Sequence, residues 1–143
     1  GFDGEVSRSS APLFLGHHSA VKALLSPREN LRWHPSGEVF SDAVAVDAAL
    51  DAVGLFGYED VPAGQLSAGQ QRRVNLARLY LSRRKLWLLD EPFTAIDVQG
   101  VARLQERLLH HAIGGGAVLL TSHQALDLDQ AVRVVDLRAP AQP

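Results

Sequence analysis

Residues 86–89, Leu-Trp-Leu-Leu, are apolar without interruption and run directly into two carboxylates, Asp90 and Glu91. A strand of that composition is expected in a parallel sheet whose faces are both covered by helices. Ligands of parallel α/β sheets sit beyond the carboxyl ends of the strands, and the two acids lie at that end. Adjacent carboxylates there repel one another unless a cation or a polarised water stands between them and a ligand. A magnesium nucleotide supplies both. Asp90 then holds the Mg2+ shell through water, and Glu91 orients and polarises the attacking water. A solvated Asp-Glu turn is the plain alternative, and the dipeptide alone does not exclude it.

The rest of the chain places this strand in an alternating pattern. Residues 1–10 read as a turn and a short strand, and 11–16 as a second apolar run bounded by Pro12 and Gly16. Residues 26–34 begin as a helix: Ser26 caps, Pro27 suits the first helical position and Glu29 adds a first-turn acid. Residues 39–54 carry Phe40, Ala43, Val46, Leu50 and Val53 at helical spacing and end at Gly54. Residues 55–66 are rich in turn formers, 67–84 are helical, and 98–113 repeat the helical pattern up to Gly114. Strands follow at 117–122 and 132–137. His110 and His111 read as solvated positions late in a helix. Strands alternating with helices predict an α/β fold with a mostly parallel sheet. The two consecutive helices near 28–34 and 39–54 predict a helical insertion.

Two further segments carry chemistry. In LSAGQ, from Leu66, Ser67 and Gln70 stand in the relation of a capping box. Gly69 lets a ligand approach the first turn closely. Free N–H groups and the helix dipole there make an anion site; an ordinary capped helix is the alternative. In LLTSH, His123 follows an apolar strand at the same sheet end as Glu91, where an imidazole can stabilise charge in phosphoryl transfer. A structural histidine is the competing reading. Asp97 begins the next helix, as an N-cap or with a ligand role besides.

In this order the segments resemble the ATP-binding domains of ABC-type ATPases, over nearly the whole chain. LSAGQ looks like their signature motif, LWLLDE like the Walker B strand with its catalytic glutamate, TAID like the D-loop and TSH like the switch histidine. The stretches LFLGHHSAVKALLSPRENLRW, QRRVNLARLYLSRRKLWLLDEPFTAIDVQGVARL and LLTSHQALDL are similar to the haem-exporter branch that serves cytochrome c maturation. The resemblance implies a P-loop NTPase-like ABC nucleotide-binding domain, partial, with a helical subdomain. It divides the chain into residual N-terminal strands (1–16), a switch loop and helical subdomain (17–65), and the signature helix, Walker B strand, D-loop and switch histidine (66–143).

The same resemblance implies ATP as substrate with Mg2+, and Glu91 and His123 as catalytic residues. It implies nucleotide contacts from Leu66, Ser67, Ala68, Gly69, Gln70 and Asp97. His17 stands where most such ATPases carry glutamine, which implies contact with the metal or water region. A surface histidine beside His18 is the alternative. Implied partners are transmembrane haem-exporter subunits and a second ATP-binding subunit in a head-to-tail homodimer. The implied location is peripheral, on the cytoplasmic face of the inner membrane. A different cargo, or a non-catalytic interaction module, are the competing functions.

Composition narrows the field. Among 143 residues there is no cysteine, which excludes a disulfide framework and thiolate metal sites. A net charge of -2 argues against a nucleic-acid binder that works by bulk charge. No run of about 18 apolar residues suggests a membrane span. The phosphate-cradling loop G-x-x-x-x-G-K-[ST] is not present, since Val21 precedes Lys22 and Arg84 precedes Lys85. The expectation is therefore that residue 1 begins partway into a longer domain and that this chain alone neither binds magnesium ATP tightly nor hydrolyses it.

Overall fold

Parallel strands cannot be joined by tight turns, so each needs a crossover, and the helices here are those crossovers. The computed structural model describes residues 11–18, 20–33, 40, 42–123 and 133. Strand β1 (Leu13–Leu15) leads through α1 (Pro27–Arg32), α2 (Ala43–Ala52), a 3-10 turn (Ala63–Gln65) and α3 (Ala68–Leu81) to β2 (Leu86–Asp90). Helix α4 (Val98–Ile113) then leads to β3 (Ala117–Thr121). All pairings are parallel, in the order β1-β2-β3. The strands expected at 1–10 and 132–137 lie outside the described residues, apart from residue 133.

Local chemistry fixes the helix boundaries. Ser26 and Glu29 form a reciprocal capping box on α1, with Pro27 at the first position. Helix α2 starts later than its apolar pattern predicts, because the Asp42 carboxylate takes the N–H groups of Val44 and Ala45. Its inward residues are Val46, Ala49 and Leu50, while Ala43 faces solvent. Gly54, at φ +74°, ends it. Asp97 caps α4 by accepting from the Gly100 N–H at 2.7 Å.

Two apolar cores result. Leu13, Leu15, Trp87 and Leu89 pack with Leu104 and Leu108 of α4. Leu31, Val46, Leu50, Leu55 and Leu66 form the other, in the helical insertion. Helix α3 belongs to both: Leu76 and Leu79 face the sheet, Val74 and Ala77 the insertion. Seven of its residues are buried, among them Arg72, Asn75 and Arg78. Any movement of α3 therefore moves both cores.

One expectation is met in part among the described residues and one is corrected. The described helices cover only one face of the sheet. On the other, Leu88 lies between Phe14 and Leu119, which are 61% and 65% exposed. His111 is not a solvated residue like His110. Its ring stacks on Trp87 with centroids 3.6 Å apart and planes 6° from parallel. Its Nε2–H donates to the Lys85 carbonyl at 3.0 Å. Burial holds its pKa below the ordinary imidazole value, against the opposing pull of that carbonyl. Among the described residues no helix is long and apolar enough to cross a membrane.

Candidate functional site at the carboxyl end of the sheet

Register brings the acids and the histidine to one place. Asp90 ends β2 directly beside Thr121 of β3. A hydroxyl can donate and accept at once, and Thr121 does both. Its Oγ1 donates to Asp90 Oδ1 at 2.7 Å and accepts from the Glu91 N–H at 3.0 Å. Two residues on, the His123 N–H donates to Glu91 Oε2, and His123 Nε2 stands 3.4 Å from Glu91 Oε1. The Glu91 side chain is 19% exposed and that of His123 is 95% exposed. The carboxylate is thus set inward and the imidazole is open to a ligand. Glu91 itself sits at φ +48°, a left-handed conformation that costs a non-glycine residue about 1–3 kcal/mol and persists where neighbours enforce it.

The signature turn is built as its sequence predicts. Ser67 Oγ accepts from the Gln70 N–H at 3.2 Å, and Gln70 Oε1 accepts from the Ser67 N–H at 2.9 Å. Leu66 is buried and anchors the turn, while Ser67 and Ala68 are exposed. Among the described residues the N–H groups of Ala68 and Gly69 have no partner. The first turn carries no acid, so its partial positive charge is open to an anion. A Cβ on Gly69 would lie 2.8 Å from the Ala95 carbonyl. Gly69 thus serves this chain's own loop, a constraint the sequence reading did not include. Asp97, besides capping α4, pairs with Arg73 Nη2 at 3.1 Å.

His17 lies two residues past β1, at the sheet end that carries Glu91, with its side chain exposed and its ring edge-on to His18 at 5.3 Å. Its carbonyl, with those of Gly16, Asp90 and Glu91, accepts from the guanidinium of Arg72. Desolvation holds the Arg72 pKa below its ordinary value, partly offset by Asp90 and Glu91. Sequence reasoning missed Arg72, Arg73 and Thr121. Only Thr121 left a readable signal, a hydroxyl at the end of an apolar strand two residues before His123.

Among the described residues no three His, Asp or Glu side chains gather into a metal cage. Mg2+ needs none, since it is held by one or two carboxylates, waters and phosphates. Asp90, half-buried with Thr121 on one oxygen, fits that use.

The family model for ABC transporters matches residues 6–94. A cytochrome c biogenesis ATP-binding export protein CcmA from Pseudomonas savastanoi pv. phaseolicola is 55% identical, over 87% of this chain and 59% of that protein. The same-named protein of Aliivibrio fischeri is 58% identical, over 82% and 57%. That of Saccharophagus degradans is 48% identical, over 95% and 69%. The chain thus spans 57% to 69% of the length of these curated relatives. An ABC transporter ATP-binding protein from Pyrococcus furiosus superposes with a TM-score of 0.68 at 26% identity, over 80% of this chain and 57% of that one. An ATP-binding cassette solved as a dimer with ADP and Pi gives 0.65 at 22% identity, over 78% and 51%, and supports the fold. The parallel sheet with its helical insertion, the ordered motifs and these matches agree: the chain belongs to the ABC transporter family.

Proposed function

We propose that this chain is the signature, Walker B and switch portion of an ATPase subunit that drives haem export or handoff in cytochrome c biogenesis. The contact between Glu91 and His123, beside Asp90 and Thr121, carries the reading. Glu91 accepts a proton from the attacking water and aligns it. His123 holds the Glu91 carboxylate on one side and offers its exposed ring to phosphate oxygen on the other. Asp90 holds the shell of Mg2+, which when bound neutralises phosphate charge. His17, exposed at the same sheet end, would stand beside that shell with its ring toward water, since Mg2+ prefers oxygen ligands. The N–H groups of Ala68 and Gly69, left open between the mutually capped Ser67 and Gln70, face the nucleotide of a second subunit in a head-to-tail dimer, and Asp97 lies at that junction. Leu66 seats the turn.

Membrane subunits that handle haem are the partners, and the cytoplasmic face of the inner membrane is the location. These 143 residues hold no G-x-x-x-x-G-K-[ST] phosphate cradle, so this chain alone turns over no ATP. In the full-length protein, Glu91→Gln preserves shape and removes the basic carboxylate. Hydrolysis by purified protein is expected to fall about a hundred-fold or more, with ATP still bound. Turnover within a few-fold of the parent protein removes Glu91 from this role. Haem specificity is tested separately, by cytochrome c maturation in cells carrying the variant.

A further inference from the structure

The geometry points to Arg72 as a positioning residue for hydrolysis: a buried guanidinium that fixes the backbone on both sides of Glu91 and ties it to His17. This role rests on the reading of Glu91 as the group that aligns water.

Arg72 is 5% exposed and projects from the first turns of α3. Its Nη1 donates to the Gly16 carbonyl at 2.7 Å and to the His17 carbonyl at 3.1 Å. Its Nη2 donates to the Asp90 and Glu91 carbonyls, each at 2.9 Å. All four acceptors are main-chain oxygens at the carboxyl ends of β1 and β2. An arginine that serves only as an ion-pair partner meets a carboxylate with its fork; this one grips two peptide segments.

The segments matter because of Glu91. Its left-handed φ of +48° is unfavourable for a glutamate and must be imposed from outside. Four hydrogen bonds restrain it. Arg72 donates to the Asp90 carbonyl and to Glu91's own carbonyl, the Thr94 N–H donates to that same Glu91 carbonyl, and Thr121 Oγ1 accepts from the Glu91 N–H. The direction in which the carboxylate leaves the backbone follows from those restraints. The other half of the fork binds the start of the switch segment, so a shift of His17 is transmitted to Glu91 through one rigid planar group. Arg73, the next residue, reaches Asp97 and the Gly54 carbonyl instead, so the two adjacent arginines divide the work.

A lysine retains the charge but not the fork, and cannot span both pairs of carbonyls. Arg72→Lys and the neutral Arg72→Gln are each made in the full-length protein. Steady-state ATP hydrolysis and the number of nucleotide-binding sites per chain are measured for each. The expected result is a kcat reduced about ten- to a hundred-fold, with KM for magnesium ATP changed less than about three-fold. Adding Arg72→Lys to Glu91→Gln should lower the residual rate no further, because both act on the same carboxylate. A rate loss that matches the loss of binding sites makes Arg72 merely structural and overturns the proposal. So does full additivity with Glu91→Gln. If the unmodified protein hydrolyses ATP and Arg72→Lys keeps kcat within about two-fold, only the positioning role fails. If the unmodified protein hydrolyses none, the reading of Glu91 fails and takes this role with it.

Discussion

Helices α1 and α3 begin with the same device and use it for different ends. Each opens on a serine whose hydroxyl accepts from the third N–H, with a side chain at that third position reaching back. In α1 the start is closed. Ser26 is buried, Pro27 has no N–H to offer, and the Arg28 N–H donates to the Glu59 carbonyl. The third residue is Glu29, whose charge answers the helix dipole from within. In α3 the start is open. Ser67 is exposed, Gln70 brings no charge, and the N–H groups of Ala68 and Gly69 are unpartnered among the described residues. A capping box therefore says only that a helix starts. Its second and third positions, Arg28 and Glu29 against Gly69 and Gln70, say whether that start is available to an anion.

The second position should show the largest difference. A Cβ at Gly69 would meet the Ala95 carbonyl at 2.8 Å, and Ala95 is already held at φ +61°. Helix propensity alone predicts that Gly69→Ala stabilises by about 1 kcal/mol. The clash is with backbone in a constrained loop, and overpacking of that kind costs about 1–3 kcal/mol. Gly69→Ala in the full-length protein should therefore lower the thermal midpoint and ATP turnover together. Arg28→Ala meets no such obstacle in α1 and should leave turnover unchanged. A raised midpoint for Gly69→Ala would show that the loop yields and that the two helix starts are sterically alike.

The same contrast marks how far the sequence could be read. The α3 box, the Ser26 cap, the Asp97 cap, β2 with its two acids, and Val46 and Leu50 on the inward face of α2 follow from neighbours within four residues and were legible, whereas Ala43, read as inward, faces solvent. His123 could be aligned with the acids because parallel strands share an end, and the hydroxyl of Thr121, which was not so read, belongs at that same end. What was not legible depends on side chains that reach across the fold. Arg72 reaches carbonyls 55 or 56 residues away on one side, and 18 or 19 on the other. The stack of His111 on Trp87 and the fit of Gly69 against Ala95 are likewise set by tertiary packing. The apolar run 86–89 predicted cover on both faces, but a run of hydrophobic residues does not specify which chain segment supplies it.

At the third position the exchange of charge sharpens the comparison. Gln70→Glu gives α3 the α1 box, and the helix itself should gain about 0.3–1 kcal/mol from the acid near its N-terminus. If that turn faces phosphate, the same charge opposes the ligand by about 1 kcal/mol or more at a few ångströms. Turnover should then fall about five-fold or more while the thermal midpoint holds or rises. Glu29→Gln, the reverse exchange in α1, should lower the midpoint slightly and leave turnover alone. Equal effects of the two exchanges on turnover would deny the open start of α3 any special relation to the nucleotide.

Acid should separate the two regions most gently. Arg28 donates to both oxygens of Asp47 and also to Asp60, joining α1 to α2 and to the loop that follows. The hydrogen bond from Arg28 holds the Asp47 carboxyl below its ordinary pKa, against some desolvation. A depressed carboxylate stabilises the fold fully above its unfolded pKa, near 4, and loses that contribution as pH falls through the lower folded value. The thermal midpoint of the parent chain should thus fall more steeply than that of Asp47→Asn between about pH 5 and pH 3. High salt should draw the two curves closer, since Asp47 remains partly open to solvent. The α3 box, with neutral Gln70, has no titrating partner of its own. Gln70→Ala should therefore shift the midpoint by the same amount across that pH range, whereas a pH-dependent shift would mean that α3 starts beside a charge as α1 does.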